Sequence, residues 1–125
     1  DRGVICYSNE AKIEILSVNP QYIQEHGAVS EPIAFELARN IRELSNVDLG
    51  IGITGIAGPT GGTPEKPVGL VFIGFSAKEM TIVEKHYFKA NRIEFKEKVL
   101  GEIVNKLDFF IKNSMVSRVI GEISE

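Results

Sequence analysis

Six glycines (Gly52, Gly55, Gly58, Gly61, Gly62, Gly69) and three prolines (Pro59, Pro64, Pro67) fall within residues 52–69. The apolar run Leu49–Thr54 leads into this stretch and Val68–Phe75 leads out of it. Few chains can fold around such a segment other than by joining two strands with a long loop. Glycine permits positive φ and close backbone approach, and proline stiffens what glycine loosens. Long loops in compact domains are either functional or disordered. The placing of the prolines and the bracketing strands favour an ordered, functional loop, with a plain connector as the alternative. Ligands of open α/β sheets bind beyond the carboxyl ends of strands, where Ile53-Thr54-Gly55 would lie. Gly58-Pro59-Thr60-Gly61-Gly62 lacks the Gly-Lys-Ser/Thr ending of a phosphate-binding P-loop and is no dinucleotide fingerprint. Its backbone N–H groups could still cradle a phosphate or an oxyanion.

The rest of the chain supplies an α/β frame. Gly3–Tyr7 reads as a buried strand, Ser8 or Asn9 as a helix cap, and Glu10–Leu16 as a short helix that Asn19-Pro20 ends. Residues 21–27 read as a connector. Ser30 and Pro32 mark a helix start, and Ile33, Leu37, Ile41 and Leu44, with Ala34 and Ala38, form its apolar stripe. Strands follow at Asp48–Thr54, Val68–Ala77 and Thr81–Phe88, the last two as a hairpin turning at Lys78-Glu79. Asn91 caps a helix from Arg92 to about Lys112, and residues 114–125 fit either a helix or a strand. The order β-α-α-β-β-β-α predicts an α/β domain with a mixed sheet covered by helices.

A length of 125 residues fits one domain, and 43% hydrophobic with 25% charged residues is ordinary for a globular protein. A net charge of −3 gives no polyanion-binding surface, and no apolar run approaches a membrane span. One cysteine, Cys6, excludes an intrachain disulfide, and two histidines, His26 and His86, do not suggest a metal cage. The expectation is a cytoplasmic domain without structural metal or cofactor. The chain opens Asp1-Arg2-Gly3-Val4 and enters a strand-like run at once, which suggests an N-terminally incomplete domain.

Two further places carry possible chemistry. Tyr7, Ser8 and Lys12 cluster where the first strand meets the first helix. Lys12 then faces the positive end of the helix dipole, which favours the neutral amine that a general base needs. An ordinary solvated lysine is the competing reading. Arg92 opens the last helix and is equally misplaced for the dipole unless an oxyanion lies there too, which its planar fork of donors would suit. A surface arginine is the competing reading there.

Four segments, in this order and spacing, carry a resemblance: Tyr7-Ser8-Asn9-Glu10-Ala11-Lys12, Gly27-Ala28-Val29-Ser30, Thr54-Gly55-Ile56-Ala57-Gly58-Pro59 and Gly61-Gly62-Thr63-Pro64-Glu65-Lys66-Pro67-Val68-Gly69. Over residues 3–110 the chain resembles the C-terminal domain of the competence/damage-inducible CinA proteins, known as nicotinamide-nucleotide amidohydrolases. The resemblance implies a three-layer α/β/α sandwich and metal-free hydrolysis of the carboxamide of nicotinamide mononucleotide to nicotinate mononucleotide and ammonia. By position, Tyr7 and Lys12 match the family's active-site tyrosine and lysine. Thr54, Gly55 and Gly58 match its ligand-binding loop, and Arg92 the arginine near the start of its last helix. The family's nucleophilic serine lies upstream, in a Glu-Ser-x-Thr-Gly-Gly segment without a match here, so the chain alone is expected to be inactive. Ser8 is a poor substitute, better explained as a cap. Lys96 stands where many members carry a second arginine. The implied partner is a small nucleotide substrate, with no nucleic acid or membrane. Members often associate, and a homodimer fits the chain. A nucleotide-binding or interaction module without catalysis is the alternative function.

Overall fold

A computed structural model describes the backbone of residues 1–124 and the side chains of residues 1–112. The elements are α1 (Asn9–Leu16), α2 (Pro20–His26), α3 (Glu31–Ser45), β1 (Leu49–Gly55), β2 (Leu70–Ala77), β3 (Thr81–Tyr87) and α4 (Arg92–Ser124). The strands lie in the order β1-β2-β3. Leu49 of β1 pairs with Ala77, and Gly55 with Val71. In the hairpin, Leu70 pairs with Tyr87 and Ser76 with Thr81.

The α/β class and the layering are as expected; the mixed character of the sheet is not. Both described pairings are antiparallel. Parallel neighbours need a crossover connection. Here β1 returns to β2 through the glycine–proline loop, and β2 to β3 through three residues. The segment Gly3–Tyr7, expected as a strand, joins no ladder. Its residues alternate, Val4 and Cys6 packing beside Leu16, Val18, Ile33 and Leu37 while Ile5 and Tyr7 stand exposed. The side-chain pattern of a strand is present without a neighbouring edge to bond.

β2 is the central strand, and Leu70 to Ser76 are all buried. On one face of the sheet Val71, Ile73 and Phe75 meet Phe95 and Val99 of α4. Full burial of each large apolar side chain contributes roughly 1.5–3 kcal/mol. On the other face α3 rests on glycine. A Cβ on Gly52 would lie 2.5 Å from the Ala38 nitrogen and 2.8 Å from the Ala34 oxygen. Gly50 and Gly74 are equally crowded by α3 backbone. Ala34 and Ala38 of α3 therefore lie flush on the sheet, while Ile33, Leu37 and Ile41 form the flank that receives α1 and α2, and Leu44, expected in the same stripe, is exposed.

Two helix boundaries differ from expectation. Residues 20–26 are a helix, α2, not a connector. Asn19 caps it by accepting from the Gln21 N–H at 2.9 Å, and Pro20 occupies the first turn. The dipeptide that stops one helix starts the next. α4 passes Lys112 and continues to Ser124, because no proline interrupts it. That makes 114–124 helical; their side chains lie outside the described residues.

Ser8 does cap α1, accepting from the Ala11 N–H at 3.0 Å. At the far end, the Asn40 amide donates to the Leu16 carbonyl at 2.7 Å and ties α1 to α3. Buried Glu36 accepts from the Asn19 N–H at 2.8 Å, fixing the α1–α2 junction on the same helix.

Candidate functional site

The loop between β1 and β2 is held at its root by three parts of the fold. The Thr54 hydroxyl donates to the Ala28 carbonyl at 2.7 Å, and the Lys66 ammonium bonds the His26 carbonyl. These two contacts dock the loop on the α2–α3 turn, which Ser30 tightens by donating to the Gly27 carbonyl at 2.8 Å. Arg92, from the opposite helix layer, donates to the Gly58 carbonyl at 3.0 Å. The Gly69 N–H donates to the Ile56 carbonyl at 2.7 Å, and the Gly69 carbonyl accepts from the Phe88 N–H at 2.9 Å. Gly58 is buried with φ of +79°, a conformation that glycine adopts without strain, and it precedes a cis bond to Pro59.

Gly55 ends β1 against β2, where a Cβ would lie 2.9 Å from the Leu70 oxygen. Thr54 is buried and spends its hydroxyl on Ala28, so it shapes the loop entry. Among the described residues Arg92 makes one hydrogen bond, which leaves its other N–H groups for an oxyanion. Lys96, one turn on, lines a groove of about 360 Å³ with Ile53, Gly55, Ala57 and Leu100. Two cations thus flank the root of the loop.

Lys12 lies in the first turn of α1 and lines a different cleft, of about 370 Å³, with Val4, Cys6, Leu37, Gly52 and Ile53. Gly52 and Ile53 immediately precede Thr54, so this cleft runs along β1 to the start of the loop. Tyr7 is 93% exposed beside the α1 cap, and no described hydrogen bond joins Tyr7 or Lys12 to Thr54, Gly58 or Arg92. The structure therefore brings Thr54, Gly55, Gly58 and Arg92 together. Lys12 lies apart from them in the cleft along β1, and Tyr7 lines neither cleft.

Lys66 and the Gly27-Ala28 carbonyl turn were not singled out as site residues from sequence. The only signal was their place inside two of the four segments that carry the family resemblance. The one described cluster with metal-ligating atoms, Glu84, His86 and Glu102, lies elsewhere, its atoms within 4.8 Å of one another. Lys106 stands 2.8 Å from Glu84 and already supplies a cation. Burial raises the Glu84 pKa, but the hydrogen bonds and charges of Lys106 and His86 outweigh it and hold the group below its usual value. No described helix is long and apolar enough to cross a membrane.

The fold and the site define an α/β/α sandwich domain whose ligand-sized clefts flank a clasped glycine–proline loop. The chain belongs to the CinA C-terminal domain family, whose model matches residues 1–110. A protein of Thermoanaerobacter pseudethanolicus described as competence-damage inducible is 50% identical over 98 residues, covering 78% of this chain and 24% of that one. A CinA-like protein of Koribacter versatilis is 51% identical over 90 residues, 72% of this chain and 22% of that one. The chain thus spans about a quarter of the length of these curated relatives. The crystal structure of a competence or damage-inducible protein from Enterobacter asburiae superposes with a TM-score of 0.81 at 32% identity, covering 86% of this chain and 67% of that one. A CinA superfamily structure from Enterobacter cloacae gives 0.78 at 33% identity, with 86% and 66% covered.

Proposed function

We propose that this domain is the substrate-holding part of an amidohydrolase that converts nicotinamide mononucleotide to nicotinate mononucleotide and ammonia. The observation that carries this reading is the continuity of the edge. The cleft lined by Lys12 ends at Ile53, and two residues further on β1 gives way at Gly55 to the loop that Arg92 clasps. Family membership and the similarity of the four glycine-rich and lysine segments support it.

In this reading the nucleophilic serine comes from polypeptide outside residues 1–125. The Lys12 amine takes the serine proton, and the serine oxygen attacks the carboxamide carbon. Loop N–H groups hold the tetrahedral oxyanion. Its collapse returns the proton to the leaving nitrogen, ammonia departs, and water hydrolyses the acyl-enzyme to the carboxylate. Arg92, with Lys96, holds the nucleotide phosphate, and Tyr7, exposed just before the α1 cap, is left open to a bound substrate. Ser8 has no part in it, since its hydroxyl is engaged as a cap.

The test is ammonia release from the nucleotide by the protein with its upstream serine segment. Lys12→Ala should lower kcat by roughly 10²–10⁴-fold, the usual contribution of a general base. Absence of release by the intact protein, or an unchanged rate in the variant, overturns the reading. Calorimetric binding of the nucleotide without turnover would instead identify a non-catalytic binding module.

A further inference from the structure

We infer that Glu84, His86 and Glu102 form a site for one divalent transition-metal ion of the zinc class, which clips β3 to α4. Glu84 and His86 stand two apart on β3 and so share a face. They pair with Ile73 and Val71, which pack against α4, so that face meets the helix. Glu102 and Lys106 stand four apart on α4 and share a face in turn. One oxygen of each carboxylate and one ring nitrogen lie within 4.8 Å of one another. Spacing along the chain does not reveal the set, since Glu102 arrives from another element.

The donors define the ion. One imidazole and two carboxylates suit zinc, and three protein ligands leave the fourth position of a tetrahedron to water. Calcium and magnesium take all-oxygen shells of about six or more ligands. Tetrahedral zinc holds neighbouring donor atoms about 3.3 Å apart. The His86 Nε2 is 3.2 Å from Glu84 Oε1 and 4.0 Å from Glu102 Oε2. Two of the three donors are already held. The His86 ring stacks on Phe88 at 5.3 Å with 12° between the planes. The Lys106 ammonium lies 2.8 Å from the other oxygen of Glu84, Oε2, and leaves Oε1 turned to the ring. Outer partners of this kind orient ligands around a metal. The cation that Lys106 supplies thus serves one oxygen of one carboxylate. Glu102 makes no hydrogen bond among the described residues, and its side chain, 37% exposed, has only to swing inward to complete the set. The competing account is a plain ion-pair network of Glu84, Lys106 and His86, which assigns Glu102 no part. β3 lies across the sheet from β1. The site therefore does not depend on what reaction Lys12 serves.

The test titrates the metal-stripped chain with zinc chloride at neutral pH and follows the heat. One ion per chain should bind, while magnesium and calcium chlorides at the same concentrations give no heat. His86→Ala and Glu102→Gln should each weaken zinc binding at least about tenfold, and His26→Ala should leave it unchanged. Glu102→Gln keeps the shape of a half-exposed side chain, so its loss of binding comes with the wild-type circular dichroism. Lys106→Met lifts a positive charge from the site and should tighten binding about tenfold. The inference is overturned if zinc does not bind, or if His86→Ala or Glu102→Gln binds it like wild type. It is also overturned if His26→Ala abolishes binding, or if Lys106→Met fails to tighten it.

Discussion

Gly52→Ala tests whether α3 rests on the sheet as closely as the structure has it. The added methyl would lie 2.5 Å from the Ala38 nitrogen, 2.7 Å from the Leu37 Cβ and 2.8 Å from the Ala34 oxygen. Comfortable carbon contacts begin near 3.5 Å, so the helix must retreat by roughly 1 Å. Two of the three clashing atoms are backbone, and no rotamer change relieves them. Retreat opens the contacts of fully buried Ala34 and Ala38 and of nearly buried Leu37. Overpacking of this kind costs about 2–3 kcal/mol, which for a chain this size lowers the melting temperature by roughly 10 °C. Gly101→Ala is the matched control. Nothing lies within 4 Å of a Cβ on Gly101, which sits within α4. It should gain about 0.5–1 kcal/mol from helix propensity. Thermal and urea unfolding followed by circular dichroism measure both. If Gly52→Ala melts with the wild type, or if the two variants shift together, the close approach of α3 is wrong.

Three other outcomes are expected. Phe95→Ala empties a site with 5% exposure against Phe88, Val71 and Phe75, and should cost about 3–5 kcal/mol in urea unfolding. Glu84 titrates lower in the folded chain than in the unfolded one, so its stabilisation is present above its usual value of 4.5 and is lost as pH falls through the lower folded value. Lys106→Met should therefore flatten the fall in stability below about pH 5, as unfolding free energies measured across that range will report. Arg92→Met removes the clasp on the Gly58 carbonyl, and amide exchange at Gly61 and Gly62 should rise roughly fivefold while the melting temperature barely moves.

Much of this fold can be read from spacing because packing follows spacing. Ile33, Leu37 and Ile41 place α3, and Leu70–Phe75 is apolar throughout because it is buried on both faces. Gly3–Tyr7 is the instructive miss. Its composition and alternation are those of a strand, but a strand is a relation between two chains of peptide groups, and composition does not supply the partner. The same limit governs direction. Whether a sheet is mixed or antiparallel depends on how connections return, and a fourteen-residue loop between β1 and β2 gives no periodicity from which to read it. In the site, the loop and Arg92 were marked by glycine, proline and a misplaced charge. The bond from Thr54 to Ala28 spans 26 positions and leaves no local trace.

The tethers of the glycine–proline loop all grip its ends: Thr54, Gly58, Lys66 and Gly69. Residues 59–65 between them are exposed. Within the exposed stretch the Thr63 hydroxyl accepts from the Lys66 N–H at 3.0 Å and the Thr63 N–H donates to the Lys66 carbonyl at 2.9 Å, so Thr63 also helps order the loop before any ligand arrives. In the proposed site, substitutions at Thr60 or Glu65 would retune what the mouth accepts while the Thr63–Lys66 turn keeps the scaffold's shape. Specificity and foldability are written in separate letters of one short segment, so one can drift while the other stands still.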